Sequence, residues 1–147
     1  MTSVISSLSL TQIKALSTAT ISGLTTTDAA AFTTAQMAVL SSAQIGAFST
    51  DDIHTFNSSQ ISAISSKSIG GLTAAQIAII SSVQEAALSS AQISGLETDD
   101  IASLTTQQVA DLTTAQIAGL SSKQVSALST ADIAALGSDI SGLSTAA

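Results

Sequence analysis

From Leu8 to Leu136 every eighth residue is a large apolar side chain, and the run includes Leu16, Leu24, Phe32, Leu40, Phe48, Phe56, Ile64 and Leu72 without a miss. The stretch between successive positions follows one pattern, L-[S/T]-[S/T]-A-[Q/D]-[I/V]-A-[A/G]-L, clearest as LTTAQIAGL over Leu112 to Leu120. A hydroxyl residue follows the grid leucine, and Gln or Asp follows three residues later. That spacing is a capping box, in which the hydroxyl accepts from the N3 amide and the N3 side chain takes the N-cap amide. The leucine before the cap and the isoleucine at N4 form a hydrophobic staple that fixes how the chain enters the helix. Both devices recur along the chain, for example at Leu40, Ser41, Gln44 and Ile45, and again at Leu128, Ser129, Asp132 and Ile133.

One continuous helix does not fit this period. At about 100° per residue, an eight-residue repeat drifts by roughly 80° per unit, and the apolar stripe would wind around the helix. Each unit therefore starts a new short helix and the chain turns between units. Helices this short have no stability of their own, so packing between units must supply it. The alternative is a three-sided β-solenoid. Its corners favour Gly, Asn or Asp, and the Ala- and Gln-rich unit bodies disfavour strands.

A second period lies over the first. The residue before the grid position is Gly at Gly23, Gly71, Gly95 and Gly119, with Ala47 the exception and Gly142 one residue early. Asp28, Asp52 and Asp100 are spaced by multiples of the same length. Three units, or 24 residues, therefore make one turn, with glycine where backbones approach most closely. Phe32 and Phe56 are predicted to stack on one another. The expected fold is an all-α solenoid of short capped helices, eight residues per unit and three units per turn, filling residues 1–147 as a single domain.

Composition narrows the function. Charged residues are only 9 % of the chain and the net charge is −7, with three Lys and no Arg. No basic stripe exists to neutralise nucleic-acid phosphates or to hold an anionic membrane. No apolar run approaches the ~18 residues of a spanning helix. The chain contains no Cys, which suits an extracellular setting. The start, MTSVISSLSL, lacks the basic and apolar regions of a cleavable Sec signal peptide. Export without such a signal is the expectation.

Candidate chemistry is sparse. His54 is the only histidine, and its unit position is otherwise filled by small or polar residues, which places it outward. Asp51–Asp52 and Asp99–Asp100 offer oxygen ligands of the kind Ca²⁺ takes, but they also occupy N2 and N3, where carboxylates favour the positive helix end. Glu85 replaces an expected isoleucine. The reading at that point is a rearranged unit with Glu85 swung out and Val83 filling the space. Asn57-Ser58-Ser59 matches a glycosylation sequon. No catalytic, cofactor-binding or metal-binding residue is assigned, and no cofactor is expected.

The octapeptide resembles the LTTxQIxAL-type repeats that run through large secreted and surface proteins of proteobacteria, and the likeness covers essentially the whole chain. It implies an extracellular structural role and supplies no catalytic residues. Both ends are near-complete units (Val4 to Leu8 and Asp139 to Leu143), so apolar ladder ends are expected to be open to a second copy. Such a heterologous contact builds a filament when it does not close. The expected function is a non-enzymatic structural protein that self-assembles head to tail into an extracellular filament or matrix fibre. An adhesin stalk, or an ice- or glycan-binding rod using the Thr/Ser face, is the alternative.

Overall fold

The computed structural model describes residues 3–143. Over that span the chain forms a succession of α-helices of four to six residues, from Leu10–Ala15 to Thr130–Ala135, with 3₁₀ turns at Ile5–Ser7, Ile69–Gly71 and Gly137–Gly142. Among the described residues there is no strand, and the β-solenoid alternative is excluded there.

Most of the α-helices begin as the capping box requires, whereas Thr18–Ser22 has only the Ser17 hydroxyl accepting from the Thr20 N–H. At the N-cap the backbone is extended (Ser41 has φ −79° and ψ 163°), its Oγ accepts from the Gln44 N–H, and Gln44 Oε1 accepts from the Ser41 N–H at 2.9 Å. Asn57 does the same with its side-chain carbonyl. At the other end many helices stop on the grid residue itself, which turns to extended geometry, as at Leu16 and Phe56. At such corners two consecutive extended residues, grid residue then N-cap, turn the chain without any left-handed residue. The one positive φ among the described residues is at Gly137 (51°), where the eight-residue period shortens by one before Leu143.

Helices 24 residues apart lie on one another: Thr26–Ala30 packs on Thr50–Thr55, Thr34–Met37 on Ser58–Ala63, and Thr98–Ala102 on Ser122–Ala127. This is the three-unit turn. The N4 isoleucines form the most deeply buried row, with Ile45, Ile53, Ile61, Ile69 and Ile117 fully inaccessible, and the grid residues Leu40, Phe48, Ile64 and Leu72 flank them. One apolar cluster runs from Ile5 to Leu136. At about 1.5–3 kcal/mol for each fully buried Leu or Ile, this row is the main favourable contribution to folding.

Two sequence expectations change here. Phe32 and Phe56 do not stack directly, because Phe48 sits between them, edge-on to Phe32 at 5.4 Å and to Phe56 at 5.1 Å. The aromatic quadrupole favours these T-shaped contacts over a face-to-face stack. The apolar ladder is also less open at its start than the repeat suggested. Ile13 and Ile21 are fully buried, and Leu8, Leu16 and Leu24 are half-buried against the core. A short helix folds its N4 side chain beneath its own turn, so one turn already shields that row.

The glycine edge is as predicted at Gly71, Gly95 and Gly119 but not at Gly23, where a Cβ would meet only carbonyl oxygens of its own helix, at 3.5 and 3.7 Å. A Cβ on Gly71 would lie 2.0 Å from the Ser42 carbonyl oxygen, one on Gly95 2.0 Å from that of Ser66, and one on Gly119 2.5 Å from that of Ser90. Gly46 and Gly70 meet the next turn equally closely, at 2.6 Å from the carbonyl oxygens of Gly71 and Gly95.

Candidate functional site: the inter-turn glutamine clamp

The residue at N3 performs a second task that the capping pattern does not reveal. Its side-chain oxygen faces its own N-cap, but its amide nitrogen reaches the turn below and donates to two backbone carbonyls, 31 and 28 residues earlier. Gln36 Nε2 donates to Ile5 O at 2.8 Å and Leu8 O at 2.9 Å. Gln84 Nε2 donates to Ile53 O and Phe56 O at 2.8 and 2.7 Å, and Gln92 Nε2 to Ile61 O and Ile64 O at 2.9 and 2.8 Å. Gln44, Gln76, Gln108, Gln116 and Gln124 repeat the arrangement, and Gln60 varies it by donating to Ala30 O, 30 residues earlier, and to Phe32 O. These glutamines are buried, and each supplies a donor to the grid-residue carbonyl at the end of a helix. All but Gln60 add a second donor to the N4 carbonyl that already accepts the grid N–H, as Ile61 O does from Ile64.

The amide is the reason the position holds Gln. A Glu would complete the capping box equally well but carries no donor at neutral pH, and N3 is Gln, Asp, Thr or Ser throughout, never Glu. Ser68 fills the role with less reach: its Oγ donates to Leu40 O, 28 residues earlier, at 2.7 Å.

Asp at N3 keeps the cap and loses the clamp. Asp52 accepts from Ser49 N–H and Oγ through Oδ2 at 3.0 and 2.7 Å, and its Oδ1 is buried without a partner. Asp132 differs because Thr106 Oγ1, from the turn below, donates to its Oδ1 at 3.0 Å. Its pKa is lowered, first by the Ser129 hydroxyl. Asp28, half-buried, is held low in the same way by Thr25. Asp100 goes the other way. Its N-cap is Glu97, which supplies a backbone N–H at 2.8 Å but no hydroxyl. Burial raises its pKa to about 6, with the Glu97 and Asp99 carboxylates adding to the effect. Asp52→Gln is expected to place an amide against the carbonyls of Ile21 and Leu24 and to stabilise the fold by about 1–3 kcal/mol. Chemical denaturation at neutral pH measures it, and no gain would mean that this register is not clamped.

The acidic pairs do not act as pairs. Asp51 and Asp99 are exposed while Asp52 and Asp100 are buried, so the members of each pair face opposite ways and cannot close on one ion. Among the described residues no group of three or more His, Cys, Asp or Glu is placed to hold a metal. His54 is exposed, lining a shallow recess with Thr50, Asp51 and Ile79.

Glu85 corrects the sequence reading outright. It is 3 % exposed, in the isoleucine slot, and Val83 is 69 % exposed. The regular helix Ser82–Ala86, with a complete capping box, holds residue 85 at N4. The repeat geometry dictates where the side chain points, whatever its chemistry.

Comparison with known proteins agrees with this periodicity. Residues 83–114 and 107–138 each match the ALTTAQ repeat. The two matches begin 24 residues apart, which is one turn of the solenoid. No curated protein and no solved structure matches the chain. The chain carries a threonine-rich helical repeat of the ALTTAQ type over those segments.

Proposed function

We propose that this chain is a non-enzymatic structural rod that stacks end to end with copies of itself into an extracellular filament or matrix fibre. The observation that supports this reading is the clamp. It joins turn to turn through main-chain carbonyls, so it recognises a backbone spacing rather than particular side chains. The lower face of any turn is then complementary to the upper face of any other, within a copy or between copies. A surface with 9 % charged residues offers little repulsion to such a contact. The contact is more polar than an open leucine ladder would make it, since Ile13 and Ile21 are already covered. The composition without Cys and the likeness to repeats of secreted proteins support a place outside the cell.

Negative-stain electron microscopy of the purified chain at neutral pH tests the reading. Thin uniform fibres are expected, with an axial repeat of about 50–60 Å for six turns stacked at 8–10 Å. Dispersed short particles at high concentration would overturn it and favour a stalk or spacer role.

A further inference from the structure

Glu85 stands where the row of N4 side chains is otherwise apolar, between Ile61 one turn below and Val109 one turn above. Both of its carboxylate oxygens are buried without a hydrogen-bond partner. The space beside it is apolar, lined by Leu72, Ile77, Leu88, Ile93 and Leu104, with a volume of about 10 Å³. That is room for no more than one water. The one polar neighbour, Gln108, is already engaged: its amide donates to Ile77 O and Ile80 O, and its Oε1 accepts from the Thr105 N–H. The helix below, Ser58–Ala63, and the flanking helices Ala74–Ala78 and Ser90–Ser94 carry no titratable side chain. The helix above, Thr106–Asp111, contributes only Asp111, another negative charge. No cation faces Glu85 from any of these elements.

We propose that Glu85 is a proton-operated weak point in the middle of the rod: uncharged, it completes the apolar row, and charged, it opens the turn that carries it. Burial, with Asp111 adding to it, raises its pKa from 4.5 to about 7. The folded state therefore holds the proton more tightly than the unfolded state does. Stability from this site is full below about pH 4.5, falls as pH rises toward 7, and stays low above. The device acts locally. Residues 81–88 touch the turns above and below through the helix Ser82–Ala86, and the Glu85 carbonyl accepts the Gln116 clamp at 2.8 Å. Opening at Glu85 therefore releases a clamp on the turn above.

Hydrogen–deuterium exchange of the full chain at pH 5 and pH 8.5, corrected for intrinsic amide rates, reads this directly. In the wild type the opening constant for residues 81–96 is expected to rise by up to about a hundredfold at the higher pH. Glu85→Gln and Glu85→Ile are expected to abolish the rise, and Glu85→Ile to raise the melting temperature most at pH 8.5. Asp100→Asn, which removes the other buried carboxyl with a raised pKa, is expected to leave the rise in place. A rise that survives in Glu85→Gln, or that disappears in Asp100→Asn, would overturn the assignment. So would a wild type equally protected at both pH values.

Discussion

Gln92→Glu is expected to destabilise the fold by about 3 kcal/mol or more at neutral pH, although it changes one NH₂ group to an oxygen. The substitution leaves the capping box intact, because a Glu oxygen accepts from Ser89 N–H and Oγ as Gln92 Oε1 does at 2.9 and 3.1 Å. What changes is the other end. Two donated hydrogen bonds to Ile61 O and Ile64 O become contacts between a buried carboxylate oxygen and two carbonyl oxygens. An unpaired charge at a site 3 % exposed is among the most costly single changes a small fold can suffer. The new carboxyl is expected to take a raised pKa, since the folded state favours its neutral form. The penalty is therefore largest above that pKa and fades as pH falls through the unfolded value near 4.3, where a protonated Glu regains one donor. Gln12→Glu is the control. Gln12 caps its own helix but is exposed, and a carboxylate in a first turn is mildly favourable. Urea denaturation of both variants at pH 7 and pH 4 measures the difference. If Gln92→Glu costs no more than Gln12→Glu, the glutamines are caps and nothing else.

The contrast between these two variants shows what the sequence made legible. Everything local and periodic was open to reading: the caps at Ser41 and Ser129, the short helices, the three-unit turn and the glycine edge follow from spacings of eight and 24. The clamp was not, because capping explained the N3 residue before its second contact was considered. The exclusion of Glu from N3 was the available signal, since capping alone admits Glu as readily as Gln. The placement of Glu85 failed for a different reason. A charged residue at an apolar position was expected to swing outward, but a helix held by its capping box at Ser81 and packed against the turns above and below leaves its N4 position no freedom to do so. The Phe48 contact escaped because residues 24 apart are neighbours along the stack, while side chains long enough to cross the interior also meet those from the other corners of the triangle.

Gly95→Ala tests the closeness of the turns themselves and is expected to cost at least about 3 kcal/mol. Alanine suits the backbone there well enough, since Gly95 has φ −84° and ψ −8° at a helix C-cap. The obstacle is across the gap. The new methyl would lie 2.0 Å from Ser66 O and 3.0 Å from Ile69 Cγ2, and the first of these is main chain that cannot rotate aside. Relief requires the two turns to separate by more than an ångström along that edge. Gln124 clamps the carbonyls of Ile93 and Leu96 on either side of this residue, so the displacement is passed to the turn above. Gly71→Ala, whose methyl would meet Ser42 O at 2.0 Å and Ser42 Cα at 2.6 Å, is expected to behave alike. Gly23→Ala shares the C-cap position and a similar backbone, φ −94° and ψ 1°, yet its methyl meets only the carbonyl oxygens of Ala19 and Thr20 at 3.5 and 3.7 Å. There the loss of unfolded-state entropy acts alone and stabilises by about 0.4–1 kcal/mol. Thermal unfolding of the three variants separates the two effects by sign: equal behaviour would locate the role of these glycines in the helix cap, and opposite behaviour locates it in the contact between turns.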